Sequence, residues 1–421
     1  MIHVHSSPAG KARESRRLCY ASTCALFVFS LAPATFAVSD GQAAQAAQAA
    51  QVTQARQAVQ VASAAPVTSA TRDFRGGKGA LARPGAPPIV NKPQDPMNPG
   101  TFAEQLIDEA KLSNHTTASL LLLHTNDIHD IIKAPTGPTA LGGTPYISAY
   151  VHQQKASRPD VLVLNAGDML EKGDKVGVVS KGEVSFAALA ATGVDCICPG
   201  NHDFKYSGET FIKNTKLAGL TVICAGLLYE DTKKPVFKET FEKKIGNVRV
   251  GIIGACIARN YAYNKQRKIT GLANEELGAR INELAKEMEP RVDLTVLLLH
   301  NGLYAGRFLA RKAPMVDIVV CGHSNEVTEK PEKTTDTQAL VVEVGRAGQW
   351  VGSLDLTVDC DANKVAKYAF HMVPMNHAKI EPDEALTRKI AEWEKKLMPQ
   401  GGGTEAAAPT NVGPETEDAN Q

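Results

Sequence analysis

The sequence lacks a large net charge of either sign. Its 421 residues contain 46 Lys and Arg against 45 Asp and Glu, which gives a formal net charge of +1. A nearly neutral protein has no strong overall field that would attract a polyanion or an acidic surface. The composition therefore gives no reason to expect a nucleic acid polymer or an acidic membrane as a partner.

Closely spaced cysteine pairs of the CxxC kind are also absent. Eight cysteines are present, and six of them lie beyond the amino-terminal segment: Cys196, Cys198, Cys224, Cys256, Cys321 and Cys360. Five of these six fall in apolar, strand-like runs, where cysteine usually behaves as a small buried hydrophobe. Export would permit disulfides, but this placement favours buried free thiols over a structural disulfide.

Beyond the amino terminus, no apolar run is long enough to span a bilayer. Residues 1–37 resemble a signal peptide, because basic residues precede the apolar stretch 18–36 and small residues near Ala34 and Ala37 suit a signal peptidase. An uncleaved membrane anchor is the alternative. The run is short and is interrupted by Pro33, which favours cleavage. We expect a periplasmic or secreted protein with no stable membrane span after cleavage, and the export route stays open.

Composition divides the rest of the chain into three parts. Residues 38–100 are rich first in Ala and Gln and then in Pro, which predicts a disordered linker. Residues 101–398 form the predicted folded domain, and the Gly-, Glu- and Pro-bearing segment 399–421 is predicted to be a disordered tail. At the start of the domain, Thr101 to Glu104 resembles a capping box, which predicts a short helix to about residue 112.

Strand-like and helix-like segments alternate through most of the domain. The strand-like runs are 118–124, 161–166, 194–198, 220–225, 248–254, 293–299 and 316–321, and the helix-like runs are 143–156, 184–192, 208–218, 274–288 and 303–312. This alternation predicts a largely parallel sheet with helices outside it. The later runs 339–344, 351–358 and 365–373 have no helices between them and predict a second, more antiparallel sheet, before a last helix at about 382–397.

Polar blocks follow five of the apolar runs. They are Asp127-Ile128-His129, Gly167-Asp168, Gly200-Asn201-His202-Asp203, Leu299-His300-Asn301-Gly302 and Gly322-His323-Ser324-Asn325. Parallel strands present their carboxyl ends together, so donors far apart in sequence can converge there. Oxygen and nitrogen donors suit divalent metals, and a metal pair needs a shared carboxylate. A helix cap, a turn residue and a core histidine would each explain one block, but the whole set favours a metal site.

In this order the blocks resemble the DxH, GD, GNH(D/E), H and GHxH motifs of the calcineurin-like metallophosphoesterases, in particular their 5′-nucleotidase branch. The resemblance covers roughly residues 115–375. It implies an α/β fold, a four-layer αββα sandwich of two mixed sheets with a dinuclear metal site at the strand ends. It also implies two divalent ions, of Zn, Mn, Co or Fe.

The resemblance assigns the ligands residue by residue. Asp127 and His129 would bind the first metal, and Asp168 would bridge the pair. Three further residues would bind the second metal: Asn201, His300 and His323. Asn325 stands where the family pattern has the second histidine of GHxH, so an amide oxygen would replace an imidazole as a first-metal ligand.

His202 resembles the family's catalytic histidine, which stabilises the phosphoryl transition state or protonates the leaving oxygen. The family usually orients this ring with an Asp three residues later, and here that residue is Lys205. Asp203 or a backbone carbonyl is the candidate substitute, and Asp203 is therefore included with His202 among the candidate catalytic residues. Lys205 could bind a substrate anion or face solvent, and we expect its side chain to face solvent.

The resemblance implies an exported enzyme that hydrolyses small phosphomonoesters, foremost nucleotides, through attack by a metal-bound hydroxide. Three alternatives stay open: a cyclic-nucleotide phosphodiesterase, a thiosulfohydrolase-like hydrolase of sulfur esters, and a degenerate domain that binds metal or ligand without turnover. About 25 residues follow the predicted domain, too few for the nucleoside-recognition domain that many family members carry. The oligomeric state is not predicted.

Overall fold

The computed structural model describes residues 100–136, 140–257, 268–376 and 378–398. The predicted signal peptide, all but the last residue of the predicted linker and the predicted tail lie outside these residues. The strands are β1 Thr101–Gln105, β2 Thr117–Thr125, β3 Val161–Asn165, β4 Cys196–Ile197, β5 Leu227–Tyr229, β6 Thr240–Ile245, β7 Val248–Cys256, β8 Ile269–Gly271, β9 Leu294–His300, β10 Ile318–Gly322, β11 Glu332–Lys333, β12 Leu340–Val342, β13 Trp350–Asp359 and β14 Lys364–Pro374.

The α-helices are α1 Glu109–Leu112, α2 Thr144–Ser157, α3 Lys175–Val179, α4 Glu183–Ala191, α5 Gly208–Leu217, α6 Asn274–Met288, α7 Gly302–Lys312 and α8 Glu384–Leu397, and 3-10 turns cover His202–Phe204 and Glu289–Arg291. Six of the helices lie within two residues of the predicted bounds. The apolar spacing explains why: in α6, Leu277, Ile281, Leu284 and Met288 recur at helical intervals and are all buried.

Two six-stranded mixed sheets form the domain. The first has the order β1-β14-β13-β2-β3-β4, in which β2, β3 and β4 are parallel and the other neighbours are antiparallel. The second has the order β11-β12-β10-β9-β7-β6, in which β12, β10, β9 and β7 are parallel. Each sheet therefore has a parallel part, and antiparallel strands lie at one edge of the first sheet and at both edges of the second.

The two sheets face each other across a shared apolar layer. Leu122 of β2 and Phe370 of β14 belong to the same buried cluster as Ile252 of β7 and Leu298 of β9. The outer face of the first sheet is covered by helices in a second cluster, and the outer face of the second sheet by α6 and α7 in a third. Strands that are buried on both faces have sequences that are continuous apolar runs. This arrangement confirms the four-layer αββα sandwich.

Three predictions about local structure were wrong. Thr101–Gln105 is a strand paired with β14, and the short helix begins only after Asp108, whose side chain accepts the Ala110 N–H as its cap. Segments 351–358 and 365–373 join the first sheet, so the parallel strands are divided between both sheets. Segment 220–225 makes only isolated bridges. Strand pairing over long sequence distances decided each case, and local patterns do not carry that information.

The cysteines of the described domain are free thiols, as predicted. Five are buried, and Cys360 is half-buried. Burial raises the pKa of Cys198, Cys224 and Cys321 well above the usual range of a thiol. In the described part of the chain, no helix is both long and apolar enough to cross a membrane.

The layer between the sheets should account for a large share of the stability. Leu298 is fully buried, whereas Leu217 on α5 is 65% exposed. Leu298→Ala removes buried methyl groups and leaves a cavity, so urea titration should show a loss of about 2–5 kcal/mol in the free energy of unfolding. Leu217→Ala, the same substitution at the surface, should change it by less than about 0.5 kcal/mol. Equal losses in both variants would contradict the layered core.

Candidate metal centre

The predicted ligands lie where the parallel strands of both sheets end. Asp127 follows β2, Asp168 follows β3, and Asn201 follows β4 in the first sheet. In the second sheet, His300 is the last residue of β9, and His323 directly follows β10. The facing sheets bring these ends together, as the convergence of parallel strand ends predicts.

The donors form two groups that share one carboxylate. Asp127, His129 and Asp168 form the first group, and Asp168, His300 and His323 form the second. Within each group, one donor atom from every residue lies within 4.8 Å of the others. Only Asp168 belongs to both of these groups, which is the position of the predicted bridge.

Asn201 completes the second group. Its Oδ1 lies 3.2 Å from His300 Nε2 and 3.0 Å from His323 Nδ1, and His300 Nε2 lies 3.1 Å from Asp168 Oδ2. In the first group, His129 Nε2 lies 3.7 Å from Asp127 Oδ1. His129 Nδ1 contacts the carbonyl oxygen of Leu170 at 3.0 Å, a bond that fixes the ring and directs Nε2 inward.

The buried carboxylates of this centre favour the binding of a cation. Asp127 is fully buried, and its Oδ1 has no hydrogen-bond partner among the described residues. Burial raises the pKa of Asp127. For His300, burial lowers the pKa, but the carboxylates of Asp168 and Asp127 outweigh it and raise that pKa well above the usual range. The carboxylates thus create a demand for positive charge that bound metal ions would meet in place of a proton.

Backbone strain is concentrated at the same residues. Asp127, His129, Asp168, His323 and Asn325 all have positive φ, from 50° to 93°. Side chains other than glycine rarely adopt this region, and such strain persists at functional sites where the surrounding structure enforces it. The turns after the strands therefore orient the donor side chains, at a cost in backbone conformational energy.

Glycines in the motifs make room for the ligands. A Cβ on Gly200 would lie 2.1 Å from Asp168 Oδ1, and one on Gly322 would lie 2.5 Å from the carbonyl oxygen of Ala166 and 3.0 Å from Asp127 Oδ2. Neither position has a positive φ. These glycines are therefore explained by close approach to the ligands and not by turn geometry.

Buried polar groups form hydrogen bonds with the predicted ligands and with the loops that carry them. Asn126 donates from Nδ2 to Asp127 Oδ2 at 2.8 Å and to the carbonyl oxygen of Gly345 at 2.6 Å. Asp203 accepts the backbone N–H groups of Gly200 and Asp168 at Oδ2 and that of Met169 at Oδ1, over 2.8–3.0 Å. Asp203 is thus placed as a buried acceptor that supports the ligand loops, and its candidate catalytic role stays a prediction.

His202 lies beside the first group, and its orienting partner is a residue that the sequence analysis missed. His202 Nδ1 is hydrogen-bonded to Glu171 Oε2, and Nε2 lies 3.9 Å from Asp168 Oδ2. Lys205 Nζ lies 3.5 Å from Glu171 Oε1, so Lys205 forms an ion pair, contrary to the expectation that it faces solvent. The sequence feature that could have indicated this partner is the acidic residue Glu171 inside the GDMLEKGD stretch that follows β3.

The pKa values of this pair move in opposite directions. Burial raises the pKa of Glu171, but the hydrogen bond to His202 and the nearby positive charges of His202, Lys205 and Lys172 together outweigh it and lower that pKa to about 2. Burial lowers the pKa of His202, but the same bond and the negative charges of Asp168 and Glu171 together outweigh it and raise that pKa. An ionised carboxylate can only accept a hydrogen bond, so His202 Nδ1 carries the proton in this contact.

Asn325 is the predicted ligand with the most exposed position. Its Nδ2 donates to the carbonyl oxygen of His323 at 3.3 Å, and the residue is exposed. Its assignment to the first metal stays a prediction. The remaining donors, namely carboxylate, imidazole and amide groups around a buried unpaired oxygen, suit a divalent ion such as Zn, Mn, Co or Fe.

The comparison with protein families decides the identity of this arrangement. Residues 120–326, which contain the aspartate, asparagine and histidine donors, match the family model described as calcineurin-like phosphoesterase. Residues 120–326 are therefore recognised as a calcineurin-like phosphoesterase domain. This confirms the resemblance inferred from the five motifs, and 5′-nucleotidases are prominent among the relatives of the chain.

The 5′-nucleotidase of Bos taurus is 25% identical over 307 residues, which cover 66% of this chain and 53% of that protein. The chain thus spans about half the length of the curated relatives it matches. Among solved structures, a 5′-nucleotidase precursor from Thermus thermophilus has a TM-score of 0.60 at 22% identity and covers 67% of this chain and 59% of its own. The sulfate thiohydrolase SoxB from Thermus thermophilus has a TM-score of 0.56 at 16% identity, covering 66% and 60%. The structural likenesses establish the fold.

The tight contact at Gly200 generates a prediction about metal affinity. Gly200→Ala changes no ligand, but its Cβ would displace the Asp168 carboxylate, so metal titration should show binding weakened by about 10- to 100-fold. Gly251→Ala on β7 is the matched control, because its nearest neighbours are side-chain carbons of Met288 and Val292, both at 3.1 Å, and no candidate ligand. Unchanged affinity in Gly200→Ala would show that Asp168 does not bind metal in this position.

Proposed function

We propose that this protein is a metal-dependent phosphoesterase that hydrolyses small phosphomonoesters, with nucleotides as the preferred class. The observation that carries the proposal is the pair of donor groups that share Asp168. A shared carboxylate between two cation positions suits in-line displacement at phosphorus, where attacking and leaving oxygens both need stabilisation. The names of the relatives, 5′-nucleotidases in several vertebrates, support nucleotides as substrates.

The chain's residues would divide the two ions between them. Asp127, His129 and Asp168 would hold the first, and Asp168 with Asn201, His300 and His323 would hold the second. When bound, the two ions would supply charge for the phosphoryl oxygens and activate a water for attack. The fold keeps bulk water away from most of these donors, since Asp127 and His300 are fully buried and the His129 side chain is only 13% exposed.

His202 is the candidate for stabilising the departing oxygen. Its Nε2 faces the bridging carboxylate at 3.9 Å, while Nδ1 is held by Glu171. A donor at this position can hydrogen-bond to a phosphoryl oxygen or to the leaving oxygen as negative charge develops there. We further propose that the protein acts in the periplasm or outside the cell, on the strength of the signal-like segment 1–37.

Sulfur-ester hydrolysis is a second candidate activity. The structural likeness to the sulfate thiohydrolase SoxB favours it, because both chains have the same fold. A panel of nucleoside 5′-monophosphates, p-nitrophenyl phosphate, a cyclic nucleotide and a sulfur ester, assayed with added manganese or zinc, would compare the candidates. Phosphomonoester turnover at the highest kcat/KM supports the proposal, and turnover of none of them would overturn it in favour of a binding domain.

Removing the shared carboxylate tests the dinuclear arrangement. Asp168→Asn should lower metal content from two ions per chain to one or fewer. It should reduce kcat at least 10²-fold, more than the roughly 10- to 100-fold cost of changing a residue behind a ligand. Asp317→Asn is the matched control: Asp317 is also buried, but it is paired with Lys364 at 2.8 Å. Elemental analysis and single-substrate kinetics provide the measurements, and full metal content in Asp168→Asn would exclude the bridge.

A second substitution separates chemistry from metal binding. His202→Ala should reduce kcat by about 10²-fold or more, the usual size of an acid–base contribution. Metal content should not change, because His202 is not among the proposed ligands. A His202→Ala enzyme as fast as the parent enzyme would reject the catalytic role, whereas a loss of metal would reassign the ring as a ligand.

A further inference from the structure

Glu171 reaches His202 from a different loop than the sequence pattern indicates. It lies in the segment after β3, three residues beyond Asp168, whereas His202 opens the 3-10 turn after β4. Its Oε2 is bonded to His202 Nδ1, and the side chains of both residues are 15% exposed. The ring is therefore held through one nitrogen, with Nε2 on the side of Asp168.

The backbone of this segment is strained in a way that places the carboxylate. Glu171 and Lys172 have consecutive φ values of 81° and 74°, a region that non-glycine residues rarely adopt. The Glu171 N–H donates to Asp130 Oδ2 at 2.6 Å, and Asp130 Oδ1 accepts a hydrogen bond from Ser185. The buried Asp130 thus holds the strained turn, and such strain is typical of positions with a functional constraint.

The two oxygens of Glu171 have separate partners. Oε2 bonds to the His202 ring, and Oε1 forms the ion pair with Lys205 at 3.5 Å. Lys205 stands where the family pattern has an Asp. The carboxylate is therefore supplied from position 171, and the cation at position 205 attracts its second oxygen, which limits rotation of the carboxylate.

We propose that Glu171 is the positioning residue of His202 and that Lys205 in turn positions Glu171. The inference rests on the proposed function for its kinetic consequence but not for the contact itself. A carboxylate that accepts the Nδ1–H fixes both the tautomer and the plane of the ring. It thereby directs Nε2 to the space beside Asp168, where a phosphoryl or leaving oxygen would lie.

NMR of the histidine rings tests the contact without turnover. In protein labelled with ¹⁵N-histidine, His202 should give a downfield Nδ1–H resonance, assigned by its loss in His202→Ala. Glu171→Gln should abolish or strongly shift this resonance, because a neutral amide is a weaker acceptor. Glu209→Gln, at an exposed glutamate on α5, should leave it unchanged. If Glu171→Gln impairs folding by circular dichroism, Glu171→Asp provides the same test with a shorter carboxylate.

Kinetics distinguish positioning from a structural role. Glu171→Gln should lower kcat about 10- to 100-fold on an alkyl phosphomonoester with a poor leaving group. It should have less effect on p-nitrophenyl phosphate and leave KM and metal content near those of the parent. In the His202→Ala background, Glu171→Gln should cause no further loss, since the two residues act as a unit. Equal losses in both backgrounds would indicate a structural role and overturn the proposal.

A substitution at position 205 tests whether the activity lost in Glu171→Gln can be restored. Lys205→Asp alone should slow the enzyme, because it places a second carboxylate against Glu171 and removes its ion pair. In the Glu171→Gln background, Lys205→Asp should restore part of the lost kcat by supplying the acceptor from the family position. Rescue supports the proposal; an unchanged resonance and an unchanged kcat in Glu171→Gln would overturn it. If the parent protein hydrolyses no phosphoester, the proposed function fails, and the NMR result still decides the contact.

Discussion

The burial of one carboxylate between two groups of donors is the constraint on which the site depends. Asp168 is 2% exposed, and His300 and the fully buried Asp127 lie beside it. Removing an ion from water costs several kcal/mol in a real protein, so nearby positive charge must offset it. Although burial raises the pKa of Asp168, His300 outweighs it and holds that pKa well below the usual range. The close glycine at position 200 is a consequence, because a side chain there would occupy the carboxylate's place.

Local sequence patterns predict the helices of this fold better than they predict which sheet each strand joins. Helix bounds were predictable because amphipathic spacing is a local property, and α6 and α7 begin and end close to their expected residues. Sheet membership was not, because β13 and β14 return to the first sheet after the chain has built the second. The same holds for β1, where pairing with β14 overrides the helix that the capping-box sequence predicts. Tertiary pairing overrides propensity where a strand edge is available.

The convergence of the predicted metal ligands could be foreseen for a similar reason, since each stands after an apolar run and parallel strand ends converge. The orienting group of His202 was not. Glu171 reaches the ring only through a turn with two consecutive positive φ values, enforced by the buried Asp130. Nothing in the local sequence indicates that turn. The identity of residue 205 showed that the usual acceptor was absent, but it could not show which residue replaced it.

Two reciprocal contacts link the loop after β3 to the loop after β4. Asp203, next to His202, accepts the N–H groups of Asp168 and Met169, and Asp168 Oδ1 in turn accepts the His202 N–H at 2.8 Å. Like Asp168, Glu171 reaches from the loop after β3 to His202, where its side chain contacts the ring. Displacing either loop would break hydrogen bonds and leave buried polar atoms unsatisfied. These contacts therefore tie the two loops together, and the distance from the Asp168 carboxylate to the ring is set within the site itself. An acceptor at position 205 would orient the ring from its own loop only. The acceptor at position 171 orients the ring from the loop that carries Asp168.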